Sequence, residues 1–69
     1  MEDKREICAL LAKTLQATRE YGDAVGIIYR KDPDGEEKVF VHFVNGTKTA
    51  NVTGDSGIAM IRDILKAIE

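Results

Sequence analysis

The sequence predicts an α/β fold of the α+β kind: a three-stranded antiparallel meander with two helices packed on one of its faces, in the order α-β-β-β-α. Three observations lead there. Stretches with helical apolar spacing stand near both ends of the chain. Three runs rich in β-branched and aromatic residues lie between them. The loops joining those runs carry hairpin chemistry, so neighbouring strands run antiparallel. At 69 residues there is room for a single domain, residues 1–69, with no linker, repeat or low-complexity stretch.

The first helix is expected from Asp3 to Tyr21. Ile7, Leu10, Leu11, Thr14, Leu15, Thr18 and Tyr21 fall on one arc, with Glu2, Glu6, Lys13, Gln16 and Glu20 opposite and Cys8 at the arc's edge. Glu2 and Asp3 suit the positive end of the helix dipole and Arg19 the negative end, and Gly22 is placed as the left-handed stop. Ala24 to Arg30 has strand composition. It leads into Asp32-Pro33-Asp34-Gly35, the chemistry of a type I turn closed by a glycine bulge. Lys38 to Val44 is the second strand, Asn45-Gly46 the hairpin signal after it, and Thr47 to Thr53 the third strand. The last helix follows Gly54-Asp55-Ser56-Gly57, where Asp55 or Ser56 can cap it, with Ile58, Ile61, Ile64, Leu65 and Ile68 as its apolar stripe.

The turns set an expected register. A three-residue loop puts Asp32 opposite Glu36 and pairs Tyr29 with Val39, Ile27 with Val41 and Val25 with Phe43. A two-residue loop at Asn45-Gly46 pairs Val44 with Thr47, Val41 with Ala50 and Val39 with Val52. One face is then apolar and takes both helices. The other is left over. It carries Ala24, Gly26, Ile28 and Arg30, then Lys38, Phe40, His42 and Val44, then Thr47, Thr49, Asn51 and Thr53.

Composition narrows the function classes. Ten basic and twelve acidic residues give a net charge of −2 with no basic block, which argues against nucleic acid, where phosphate neutralisation dominates affinity. Cys8 and His42 are the only cysteine and histidine, so no internal disulfide and no Cys/His zinc site is expected, and neither a metal nor a cofactor. The charged start and the absence of a signal core or a membrane-length apolar run point to the cytoplasm, with no membrane contact. The sequons at Asn45 and Asn51 then read as chance matches. A domain this short buries only roughly 60% of its unfolded surface, and small folds often compensate by self-association.

Few motifs suggest chemistry. Gly54-Asp55-Ser56-Gly57 matches a string found around nucleophilic serines, but the only candidate base, His42, is expected on the far face of the sheet. A helix cap is the simpler reading, and no catalytic residue is assigned. Asp32, Asp34, Glu36 and Glu37 gather at a hairpin tip without calcium-loop spacing and read as a solvated turn. His42 is expected opposite Gly26 and Thr49, beside a notch that the glycine leaves, where it would make binding sensitive to pH. Ile28, Phe40 and Val44 cluster on the uncovered face. The candidate binding residues are therefore Ile28, Arg30, Phe40, His42, Val44, Thr49 and Asn51. The first strand, an edge rich in Val and Ile, offers a second self-contact.

The element order is similar to that of the double-stranded-RNA-binding domain, over nearly the whole chain and at the level of topology. That family reads RNA with a lysine cluster opening its last helix and a Gly-Pro-x-His segment between its first two strands. Here those places hold Ser56-Gly57-Ile58-Ala59 and Asp32-Pro33-Asp34-Gly35, so RNA binding follows from the topology analogy alone. The leading expectation is a non-catalytic binding and regulatory protein that self-associates, as a dimer, and engages a partner protein through the outer sheet face or an edge strand. A small-ligand binder follows, such as a nucleotide-binding homo-oligomer with pockets at subunit junctions near Gly26 and His42.

Overall fold

A computed structural model of the protein describes residues 3–69. Its order is α1 (Lys4–Gln16), β1 (Ala24–Lys31), β2 (Glu37–Phe43), β3 (Gly46–Asn51) and α2 (Gly57–Ile68), with the sheet ordered β1-β2-β3 and both pairs antiparallel. The expected α-β-β-β-α architecture is thus the observed one. Glu2, placed from sequence at the positive end of the first helix's dipole, lies outside the described residues. No helix among the described residues is long and apolar enough to cross a membrane.

Helix α1 begins where its capping residue dictates: the Asp3 carboxylate accepts the Arg5 N–H at 2.9 Å. It ends five residues before the expected Tyr21. The Thr18 hydroxyl donates to the Leu15 carbonyl at 2.7 Å and accepts the Tyr21 N–H at 3.1 Å. A short polar side chain here diverts backbone groups that a continuing helix would pair. Gly22 keeps a negative φ and is not the left-handed stop that the sequence suggested. Tyr21 instead turns back onto Phe43, with ring centroids 6.4 Å apart.

The buried arc of α1 is rotated from the expected one. Cys8 and Leu15 are buried, with Ile7 and Leu11 packed beside them, whereas Leu10 is 66% exposed. Cys8 is a core residue rather than a flanking one. The rotation turns Lys4 towards the sheet, where it meets a carboxylate described below. In α2, Ser56 is the cap, its hydroxyl accepting the Ala59 N–H at 3.2 Å. The buried seam is Met60, Ile64 and Ile68, one residue per turn. Ile58 and Leu65, expected inside, are exposed, Ile58 at 83%. Three strands cover only a narrow strip of a helix, and flexible Met60 fills the place that the broader isoleucine stripe was expected to occupy.

The first hairpin forms as its turn residues require. Asp32 N–H bonds the Glu36 carbonyl at 2.8 Å, Gly35 N–H bonds the Asp32 carbonyl at 3.0 Å, and Gly35 takes φ +94°. Tyr29 faces Val39 and Ile27 faces Val41, as expected. The far end departs: an irregularity between Ala24 and Gly26 sets Ala24, not Val25, opposite Phe43. An extra residue in one strand reverses the facing of what precedes it. Ala24 therefore enters the core and Val25 turns outward, 64% exposed.

The second hairpin corrects the expected register by two residues. Phe43 pairs with Gly46, Val41 with Lys48 and Val39 with Ala50. Val44 and Asn45 make the turn, and neither Asn45 nor Gly46 takes the positive φ that the expected Asn-Gly turn demands. A two-residue shift preserves the faces, because side chains alternate with period two. Ala50 and Val52 still join Val39 and Val41 inside, and both helices pack over that one side to close the core.

Candidate functional site

The outer face of the sheet consists of three cross-strand rungs: Gly26–His42–Thr47, Ile28–Phe40–Thr49 and Arg30–Lys38–Asn51. Among the described residues no helix covers them. The middle rung is the apolar one, with Ile28 55% exposed beside half-buried Phe40. An apolar pair in the centre of a polar face is the composition of a contact patch. The outer rungs flank it with groups that are already engaged. Arg30 Nε donates to Asp32 at 2.7 Å, Lys38 lies 3.7 Å from Glu36, and the Asn51 side chain accepts the Thr53 N–H at 3.0 Å.

Six of the seven residues singled out from sequence share this face. Val44 does not: it belongs to the β2–β3 turn, where its N–H bonds the Asp23 carbonyl. Thr49 faces Phe40 rather than His42, and His42 Nδ1 instead lies 3.1 Å from the Thr47 hydroxyl. Both corrections follow from the shifted second hairpin. The notch beside His42 is present, since a Cβ on Gly26 would meet nothing within 4 Å. Of the two cavities described, one near Phe43 and Lys48 and one near Tyr29 and Glu37, neither reaches it.

Glu37 is the residue whose place the sequence reading missed. It does not belong to the solvated tip. It opens β2 on the inner face, two and four residues before Val39 and Val41, and is only 8% exposed. Every direction around its carboxylate carries a donor. Oε2 accepts from Lys4 Nζ at 2.5 Å and from the Tyr29 hydroxyl, and Oε1 accepts the Gly54 N–H at 3.1 Å. Its backbone is held too, the N–H by Thr53 Oγ1 and the carbonyl by the Val52 N–H, each at 2.9 Å. The ammonium of Lys4, the tyrosine hydroxyl and the glycine N–H together hold Glu37 down to about 2, against the opposing effect of burial. Burial, then the bond to Glu37, pushes Tyr29 up to about 12. One carboxylate thus ties together α1, β1, β2 and the loop before α2. The alternation of β2 carried the signal, because it places position 37 on the same side as Val39.

No family model matches this chain, and no curated protein or solved structure is significantly similar to it.

The remaining motifs take structural positions. Ser56 Oγ caps α2, on the helix side of the sheet, while His42 lies on the other side. The Asp32, Asp34 and Glu36 carboxylates come within 4.8 Å of one another, but Arg30 and Lys38 already pair with two of them and the third caps the Glu36 N–H. Asp55 faces Asp63 of α2, which raises the Asp55 carboxyl and lowers that of Asp63.

Proposed function

We propose that this chain is a small, non-catalytic binding protein that self-associates through its outer sheet face and presents the same surface, or an edge strand, to a partner protein. The observation that carries this reading is the Ile28–Phe40 rung, apolar and central on a face that nothing in the fold covers. Burying it stabilises association at roughly 25 cal/mol per Å² of apolar surface. A domain of this length also gains from an added interface. Arg30 and Lys38 are neutralised by Asp32 and Glu36, so the face has no free basic stripe for nucleic acid.

Light scattering on the wild type and on Phe40→Asp tests this. Assembly in the wild type and a monomer with unchanged helicity in the variant are expected. A strictly monomeric wild type at high concentration contradicts self-association. The open space at Gly26 favours one further reading, a ligand held at a junction between copies beside His42. Native mass spectrometry of protein taken directly from cells reads a retained small molecule as added mass.

A further inference from the structure

We propose that the recess beside Glu37 is a binding site for a dianionic phosphate group, separate from the outer sheet face. The recess has a volume of about 360 Å³ and is lined by Asp3, Lys4, Arg5, Tyr29, Lys31 and Glu37. Three cations converge there on a chain whose net charge is −2. One of them is spent, since Lys4 is held by Glu37. Arg5 and Lys31 have no carboxylate within 4.0 Å among the described residues.

With Lys4 and Glu37 cancelling each other, Arg5 and Lys31 outnumber the one remaining carboxylate, Asp3, and leave the described lining net positive, which favours an anion. Their placement has structural causes. Arg5 lies with its guanidinium carbon 5.6 Å from the centroid of the Tyr29 ring, a cation–π arrangement that holds a planar fork in place. Such a fork meets phosphate oxygens in bidentate fashion. Lys31 stands across the strands from Glu37 and supplies a point charge from the other wall.

Of the two carboxylates in the lining, Glu37 is paired with Lys4, while Asp3 keeps its charge. Glu37 directs both oxygens at Lys4, Tyr29 and Gly54, and Asp3 Oδ1 accepts the Arg5 N–H. The recognising groups are the side chains of Arg5 and Lys31, while the Arg5 N–H of the first turn is already held by Asp3. Arg5 and Lys4 both lie within 6 Å of the Tyr29 ring centroid, which gathers positive charge at the recess. The phosphate group itself is the recognised element, whether as inorganic phosphate or as a simple monoester.

Amide chemical shifts of the full chain, followed at constant ionic strength, test the assignment. The titrants are inorganic phosphate, phenyl phosphate and succinate. Saturable shifts at residues 4–5, 29–31 and 54 with at least one phosphate are expected, and the two phosphate arms show whether the free ion or the monoester is preferred. Arg5→Gln and Lys31→Gln should each weaken that binding about tenfold while leaving the unfolding midpoint nearly unchanged, since both side chains are exposed. Binding of succinate as tight as that of either phosphate would overturn the assignment to phosphate. So would shifts that never saturate, or titrations unchanged in the Arg5→Gln/Lys31→Gln double variant.

Discussion

The inner end of the sheet at Glu37 and the outer face at Phe40 lie three residues apart in sequence and do opposite things. At Glu37 every lone pair that matters is met, by Lys4, Tyr29 and Gly54. At Phe40 the neighbouring Ile28 is left in solvent, with nothing in the fold to bury it. The strongly shifted groups of this protein belong to the first place, and there the shift reports structural ties between elements. The second has Ile28 and half-buried Phe40 side by side on neighbouring strands, an apolar pair among polar neighbours. A perturbed carboxylate is often taken as a mark of a functional site. In this fold the shifts at Glu37 and Tyr29 come from bonds that tie elements together, and contact with a partner protein is proposed at the quieter face.

The sharpest way to break this contrast is to remove the carboxylate. Glu37→Ala leaves the Tyr29 hydroxyl and the Gly54 N–H without their acceptor and should cost about 2–3 kcal/mol in denaturant unfolding. A loss below ~0.5 kcal/mol would show that these ties are incidental. Next in size is Gly54→Ala. Gly54 takes φ +72°, a conformation in which a Cβ costs roughly 1–2 kcal/mol. Equilibrium unfolding of that variant should show the loss, although a Cβ there meets nothing within 4 Å.

The pH dependence has a defined sign. Glu37 is held at about 2 against an ordinary 4.5, so its contribution is fully present above pH 4.5 and drains away as pH falls towards 2. Tyr29 is raised from 10 to about 12, so the neutral hydroxyl contributes fully below pH 10, and that contribution is lost as pH rises through 12. Unfolding midpoints across both windows should flatten at the acid end in Glu37→Gln and at the alkaline end in Tyr29→Phe. The smallest effect on stability belongs to Phe40→Asp, which loses only cross-strand packing, under ~1 kcal/mol, while its effect on assembly is large.

The two hairpins show how much of this was legible from residues alone. Asp32-Pro33-Asp34-Gly35 fixes its own turn, because Pro33 and Gly35 each supply a backbone angle that the turn needs. The pairing of Tyr29 with Val39 then follows from sequence. Asn45-Gly46 has an equally strong local preference and is overruled. The observed register buries Val52 and brings Gly54 onto Glu37, contacts between residues seventeen apart that no local pattern announces. Because the shift is two residues, the outer face kept Ile28, Arg30, Phe40, His42, Thr49 and Asn51, and lost only Val44 to the turn. The rotation of α1 goes with another long-range contact, since the same turn that buries Cys8 and exposes Leu10 brings Lys4 onto Glu37.

The outer face is proposed to gain stability by being covered with a second copy. Thermal unfolding measured over a hundredfold range of protein concentration tests it most directly, because a midpoint coupled to dissociation rises with concentration. The wild-type midpoint is expected to climb with concentration, and that of Phe40→Asp to stay constant near the wild type's dilute value. A wild-type midpoint independent of concentration, coinciding with that of Phe40→Asp throughout, would contradict the account.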